Sequence, residues 1–551
     1  MALPSQTMKI LQMNSVNILQ ILDSLLASTH ESPCKYVKRN PSSNSFFLFS
    51  ISPNSCAVLI AKLKNTKTDI NTMPVKIFSS LHDILSVPVS KLMNASFSLG
   101  VFPHSLKKAR LTPVHKRGNK QDPSNYRPIS SLPYLSKIFE RYVTNQLISF
   151  FAKYNLLSKN QFGFQRNIST TDALIKLTES IYKSLNNKQH HISILIDLKK
   201  AFDTMNHQII LKKLDLYGIR GLPRLWIESY LSDRLMFVGV SKATSDTHVS
   251  NIGIPQGSII GPLLFLIFIN DLPNVSDKFD TCLFADDTTL SISNSNSTVL
   301  IDSTNLELEK INKWTLANRL TINVEKTELI VFSNRYFDKT SNHISLDNKL
   351  LTYSTCCKFL GVCIDSDLTF SQHIRHVVGK LSRGAGILYN IRDSLTTPAR
   401  ISYYYGFLYP YISCNVVIWA STGTSHLQPL IKQQKRIVRT MTNAKVDDHT
   451  SPLFRRLGLL TVIDVFKFQL LVQMYKANKG DYKVSHQLNT RNRNILQPSF
   501  HRLTKTQHAF SHIGPSEWNK LPLILKESEN IKLFKKKLKK FFIDQYALDP
   551  G

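Results

Sequence analysis

The spacing of apolar residues divides the chain into three stretches. Up to about Val101 the pattern is helical and polar, broken by loops rich in Ser, Asn and Pro. There, "NILQILDSLLAS" places Ile18, Ile21, Leu22 and Leu25 on one helical face. From Lys107 to about Asp365, short apolar runs of strand length alternate with helical segments. Beyond Asp365 helical spacing returns, as in "HIRHVVGKLSRGAGILYNI", where Ile374, Val377, Val378 and Leu381 share a face. A last basic helix is predicted from about Ile531 to Tyr546. Its Ile531, Phe534, Leu538 and Phe541 recur at three and four with lysines between. Such a helix can dock by its apolar face, the expectation here, or meet a phosphate backbone. No internal repeat is visible, and 551 residues suit roughly three or four domains.

Two stretches of the middle region end on carboxylates. In "HISILIDLKKAFD", Ile192, Ile194, Leu195 and Ile196 read as a buried strand, and Asp197 arrives where the apolar run stops. "NHQIILKKLDLYG" follows as a helix ending near Gly218. "TCLFADDTTLSIS" has the form of a hairpin with Asp286 and Asp287 at its turn. Cys282 and Phe284 fall on one face, Leu283 and Ala285 on the other. Asp is an ordinary turn residue. Two-residue hairpin turns nevertheless favour Asn-Gly or Asp-Gly, because φ must be positive there. Taken alone, the stretch fits a turn and a metal site equally.

Composition bears on partners. Lys and Arg number 69 against 38 Asp and Glu, a net charge of +31 spread over many segments, among them "SLKKAR", "VHKRGNK", "KQQKRIVR", "TRNRN" and "LFKKKLKKFF". A distributed excess of this kind suits a long polyanion, whose counterions each basic contact releases. Hydrophobic residues make up 42% and aromatics 10%, enough for packed cores. The seven cysteines are scattered and odd in number, with no CxxC pair matched by histidines. Reduced, mostly buried thiols in an intracellular protein are expected. The N-terminus lacks the order of a signal peptide. The longest apolar run, "PLLFLIFI", is too short to span a bilayer.

Electrostatics favours a cation at the aspartates. Two carboxylates about 4 Å apart repel by about 4 kcal/mol at an effective dielectric of about 20. A third from Asp197 adds to the repulsion. Oxygen ligands without His or Cys suit Mg²⁺ or Mn²⁺, and two such ions can clamp an in-line phosphoryl transfer.

The order "ILIDLKKAFD", "GIPQGSIIGPLLFLIFINDLP", "LFADDTTL", "LTINVEKTELIVF", "KFLGVCID" resembles the palm of a reverse transcriptase of a non-LTR retrotransposon, jockey-like in type. Upstream, "ARLTPVHKRGNKQDPSNYRPISSLPYLSKIFERYV" and "NQFGFQRNISTTDAL" resemble that family's fingers. The tail "FSHIGPSEWNKLPLILKESENIKLFKKKLKKFF" is similar to animal elements of this kind. The resemblance implies an α+β right-hand polymerase: fingers, a palm built on an antiparallel sheet flanked by helices, and a helical thumb. It divides the chain into an N-terminal helical extension (1–100), fingers and palm (101–365), thumb (366–480) and a basic C-terminal region (481–551). It implies RNA-directed DNA polymerisation with RNA template, DNA primer and deoxynucleoside triphosphates. Asp197, Asp286 and Asp287 would be the catalytic metal ligands for two Mg²⁺, with Mn²⁺ as substitute. Phe202 would be the aromatic gate against a ribose 2′-hydroxyl. Lys116 and Arg127 would contact the triphosphate, and Lys326 would assist pyrophosphate departure. Gly253 and Gly257 would let backbone approach the nascent base pair, with Gln256 and Ser258 on the template side. "KFLGVCID" would steady the primer end, its cysteines in the core. Lys380, Arg383, Lys432, Lys435 and Arg436 would form the thumb's basic face.

Elements of this type usually carry an endonuclease before the polymerase. About a hundred residues precede the fingers here, without a nuclease constellation, and neither a ribonuclease H module nor a zinc knuckle is evident. The expectation is the polymerase portion of an element, placed in the nucleus or cytoplasm, not secreted and not in a membrane. Two competing readings are a non-catalytic nucleic-acid binder, resting on the charge, and a DNA-cutting recombinase with a carboxylate triad. The latter would not bring a Pro-Gln-Gly loop.

Overall fold

The strand-like runs between Lys107 and Asp365 build two five-stranded sheets in a computed structural model that describes residues 31–38, 44–63, 73–116, 118–240, 243–478 and 496–547. The predicted helix carrying Ile18 to Leu25 and the basic "TRNRN" lie outside the described residues. In the first sheet, β1 (Ala109–His115) sits between β2 (Tyr126–Ser131) and β4 (Arg234–Val240), and β4 also pairs β5 (Ala243–Thr244) and β6 (His248–Ser250). β1 and β4 run parallel and the other pairs antiparallel. The second sheet has β3 (His190–Ile196) at its centre, between β9 (Glu328–Phe332) and β8 (Asp287–Asn294). β7 (Asp280–Phe284) closes one edge, and the short β12 (Tyr353–Ser354), parallel to β9, closes the other. Two small hairpins, β10–β11 (Ser345–Leu346, Lys349–Leu350) and β13–β14 (Cys356–Phe359, Val362–Asp365), complete the strands.

Side-chain alternation gives the second sheet two buried faces. Ile192, Ile194 and Ile196 of β3, Leu290 and Ile292 of β8, and Leu329 and Val331 of β9 enter one core. Cys282, Ile330 and Phe332 point the other way into a second core. The first core takes the helices Tyr134–Lys153, His207–Leu216, Gly261–Phe268 and Ser297–Ala317. Inside it, the ammonium of Lys213 bonds the carboxylate of Asp271 at 2.6 Å, and Trp314 Nε1 donates to the same carboxylate at 3.0 Å. The apolar run "PLLFLIFI" is the helix Gly261–Phe268, buried here as a core helix. No single described helix is long and apolar enough to cross a membrane.

The described helices before Val101 pack into the first core. Helices Pro53–Ala61 and His82–Leu99 contribute Ile60, Met93 and Phe97 to the first core, and Trp226 Nε1 donates to Ser96 Oγ at 2.9 Å. The C-terminal residues likewise belong to the second core. Helix Ile531–Gln545 buries Phe534, Leu538 and Phe542, with Phe534 stacked on Tyr475 at 4.5 Å between centroids. The helix therefore docks by its apolar face, although Phe542 rather than Phe541 is buried. Ser511 N and Arg502 N donate to Glu179 and Asn186 of the helix Thr170–Asn186. The tail thus spans from that helix to Val462–Lys476.

Candidate functional site

The site forms where the central strand of the second sheet ends. Ile196 pairs with Thr288 and Phe284 with Asp287, so the same register sets Asp197 opposite Asp287. The two-residue turn is Ala285–Asp286, and Asp287 is the first residue of β8 rather than part of the turn. Ala285 takes φ +56°, supplying the positive angle that the absent glycine would have given. Asn323 pins Asp197 from the far side: its N–H donates to the Asp197 carbonyl at 2.7 Å and its Nδ2 to the carboxylate at 2.9 Å.

The three carboxyls interact through space. Burial in the cleft floor raises Asp287 to about 6, with Asp286 and then Asp197 adding repulsion. Asp286 is raised by the same burial and by Asp197, opposed by its own backbone N–H, Arg127 and Lys116. Both residues are exposed to solvent, while the protein packed around them thins that solvent enough to disfavour the charged forms. Hard oxygen donors under mutual repulsion fit a divalent cation chemically. Among the described residues, however, no three His, Cys, Asp or Glu side chains converge as an ion would require.

Three predicted cations lie around the same cleft. Lys116 is held below its ordinary value by burial, then by Arg127 and Lys326, with Asp203 and Asp197 opposing. Arg127 stands on β2 opposite Val114, and Lys116 N bonds the Asn125 carbonyl, so the hairpin β1–β2 delivers both. An open cleft of about 360 Å³ extends from Asp197 and Asp287 past Glu325 and Lys326 to Lys358 and Phe359 of β13. "KFLGVCID" is therefore a hairpin, β13–β14, at the cleft's end. Cys357 is buried, but Cys356 and Cys363 are only half-buried because their positions on the hairpin alternate away from the core. Only Cys56, Cys282 and Cys357 of the seven free thiols are buried, fewer than expected.

Phe202 is half-buried and stacks on buried Phe265 with centroids 4.3 Å apart. Phe164, 57% exposed with φ +55°, meets its edge at 6.4 Å. The loop after Phe202 is tied to the Pro-Gln-Gly loop: Gly253 N donates to Met205 O and Ile254 N to Phe202 O, each at 2.9 Å. The glycines of that loop serve the protein's own backbone. A Cβ on Gly253 would lie 2.4 Å from the Asp203 carbonyl, and one on Gly257 2.4 Å from that of Ser130. Both have positive φ, +69° and +129°. Gln256 donates its side-chain amide to Asp203 at 2.7 Å. Ser258 is buried and accepts from Gly261 N at 3.2 Å, capping the core helix instead of facing outward. Lys380, Arg383, Lys432, Lys435 and Arg436 are exposed or half-exposed on the packed helices Ser371–Ile391 and Thr424–Thr442.

Sequence reasoning missed Asp203, Asn323 and Phe164. Asp203 could have been found as the second carboxylate of "DLKKAFD". Asn323 and Phe164 act through contacts 126 and 38 residues away in sequence, which no local pattern reports.

Residues 114–364 match the family described as reverse transcriptase (RNA-dependent DNA polymerase). The chain is 28% identical over 388 residues to the probable RNA-directed DNA polymerase from transposon BS of Drosophila melanogaster, covering 67% of this chain and 42% of that protein. It is 27% identical over 387 residues to its X-element counterpart in the same organism, covering 68% and 42%. Against the RNA-directed DNA polymerase from mobile element jockey it is 27% identical over 465 residues, 81% of this chain and 50% of that protein. The chain therefore spans half or less of the length of these relatives. Residues 114–364 belong to the reverse transcriptase family, and the chain is a homologue of the RNA-directed DNA polymerases of non-LTR retrotransposons.

Proposed function

We propose that this chain adds deoxynucleotides to a primer 3′-hydroxyl on an RNA template, with Asp197, Asp286 and Asp287 as the ligands of two Mg²⁺ ions. The observation that carries this reading is the register of β3 and β8, which brings Asp197 opposite Asp287 beside the Ala285–Asp286 turn. In this reading the β1–β2 hairpin and its sheet belong to the fingers, the sheet around β3 is the palm, and the helices after Asp365 are the thumb. The C-terminal region would brace thumb and palm.

When bound, the ions would polarise the primer hydroxyl and neutralise charge on the departing pyrophosphate. The residues of the chain do the rest. Asp197, Asp286 and Asp287 give oxygen donors, and Asn323 fixes the rotamer of Asp197. Lys116 and Arg127 meet the triphosphate from the fingers side, where a planar guanidinium grips phosphate oxygens. Lys326 stands close enough to influence Lys116 and would steady the leaving pyrophosphate. Phe202, backed by Phe265, cannot retreat from a 2′-hydroxyl and so selects deoxynucleotides. The cleft running to β13 would hold the primer end.

The test is extension of a DNA primer on an RNA template with deoxynucleotides and Mg²⁺, comparing the chain with Asp286→Asn. Extension lost in the variant supports the reading; folded wild-type protein that never extends a primer removes it. A second reading, nucleic-acid binding without catalysis, rests on the net charge of +31. It would give salt-sensitive binding with no metal-dependent synthesis.

A further inference from the structure

We propose that Gln161 is a positioning residue for the Asp286–Asp287 pair, a role that rests on the polymerase reading above and adds a component to it. The argument starts in "NQFGF". Asn160 to Phe162 run beside β7 as an extra parallel segment: Leu283 N donates to the Asn160 carbonyl at 2.8 Å, and Phe162 N to the Leu283 carbonyl at 2.7 Å. β7 would otherwise be an edge strand with unpaired backbone beside the acidic turn.

The segment then bends at Gly163, pressed against the turn itself. A Cβ at Gly163 would lie 2.3 Å from Ala285 N and 2.9 Å from the Phe284 carbonyl carbon, so only glycine fits. Gln161 enters the space between. Its side chain accepts from Gly163 N at 2.7 Å and from Ala285 N at 3.0 Å. Two donors facing one atom require that atom to be the amide oxygen. The residue is 2% exposed, and its Nε2 is buried without a partner. Leaving a donor unpaired is unfavourable. The side chain is therefore placed for what its oxygen does and not for a satisfied pocket.

The bonded N–H belongs to Ala285, the residue with φ +56° immediately before Asp286. An alanine in that region is disfavoured and returns to negative φ unless something holds it. Rotation at Ala285 would swing Asp286 and change the direction in which Asp287 leaves the turn. Gln161 fixes the N–H and so the turn, without touching substrate.

The test uses the full chain with Gln161→Met, which keeps length and bulk but removes the acceptor, and Gln161→Glu, which keeps an oxygen. Primer extension is measured across Mg²⁺ and nucleotide concentrations, and Mn²⁺ binding by electron paramagnetic resonance. Gln161→Met is expected to lose kcat by about tenfold to a hundredfold, the scale of a misplacement near 1 Å. It should need more Mg²⁺ for half-maximal rate, with nucleotide KM and template–primer binding little changed. Gln161→Glu is expected to recover most of the loss. Wild-type kcat and metal dependence in Gln161→Met, or equal losses in both variants, would overturn the assignment. Wild-type protein that binds Mn²⁺ but never extends a primer removes the polymerase reading alone. Where wild type extends no primer, weaker Mn²⁺ binding by Gln161→Met than by wild type and Gln161→Glu still supports the positioning role, and equal or absent binding in all three overturns it.

Discussion

Phe202 stacks on Phe265 with ring centroids 4.3 Å apart and planes inclined by 25°. Phe265 is fully buried in the core helix Gly261–Phe268, so the ring that would meet the sugar is backed by one that cannot move. Phe265→Ala should let Phe202 recede. Discrimination between deoxy- and ribonucleotides, read as the ratio of kcat/KM values, should fall although Phe202 is intact. The same change should cost about 3–5 kcal/mol of stability by opening a cavity, so Phe265→Leu, which keeps most of the volume, is the milder comparison.

Asp286→Asn should abolish extension without weakening the fold. The native turn holds Asp286 within the field of Asp287 and Asp197, and removing one charge relieves that repulsion. The melting temperature at neutral pH should therefore stay level or rise. A marked drop would mean that the carboxylate is structural.

Glu140 makes a different demand. It is fully buried on the helix Tyr134–Lys153 and accepts from Ser136 Oγ at 2.8 Å and from Ile259 N in the Pro-Gln-Gly segment. Burial raises its pKa, while Arg234, 1% exposed, pulls the other way. Glu140→Leu leaves Ser136 Oγ and Ile259 N without their acceptor. A loss of about 1–3 kcal/mol is expected, read as a lower denaturant midpoint.

His191 should make stability depend on pH. Its ring is buried between Ser184 Oγ at 3.0 Å and Ser193 Oγ at 3.1 Å, and burial lowers it to about 4, with Asp280 opposing weakly. The unfolded chain takes up the proton near 6.5 and the folded chain only near 4, so the unfolded state binds more protons in between. Stability present above about pH 6.5 is lost as pH falls towards 4, by about 3 kcal/mol in all. His373, lowered to about 4 by burial, adds in the same direction. The measurement is the pH slope of unfolding free energy, which should flatten in His191→Gln.

Nucleic-acid affinity should fall steeply with salt. From Ser371 to Thr442 the only acid is Asp393, against nine lysines and arginines. Removing one phosphate contact should reduce the slope of log affinity against log salt by about 0.7–0.9. Lys435→Ala and Arg436→Ala test this, and unchanged slopes would place both away from the duplex.

The carboxylates were legible because a strand ending on Asp and a hairpin carrying two more are local patterns. Phe202, five residues after Asp197, stood out only through the family resemblance, because an aromatic at that spacing is otherwise an ordinary core residue. What escaped was the identity of partners. The need for glycine at 253 and 257 was visible, but its cause, the carbonyls of Asp203 and Ser130, comes from segments 50 and 127 residues away. Ser258 read as a template-side residue because its hydrogen bond to Gly261 N depends on where the helix begins. The elements before Val101 read as a helical extension, and those after Leu496 as a basic region with one docking helix. Amphipathic spacing shows that a helix has a buried face but not which core receives it.

That last point bears on synthesis. One face of the sheet carrying Asp197 rests on the helix Thr170–Asn186, and that helix shares its core with Trp518, Phe534, Leu538 and Phe542. A ribosome delivers these residues more than 300 positions after the strand they help to cover. Until Phe542 has emerged, the second core is incomplete and its apolar surfaces have only one another or a chaperone to meet. Stop codons that remove only the last forty residues should yield aggregating protein, even though every residue of the acidic site has been made.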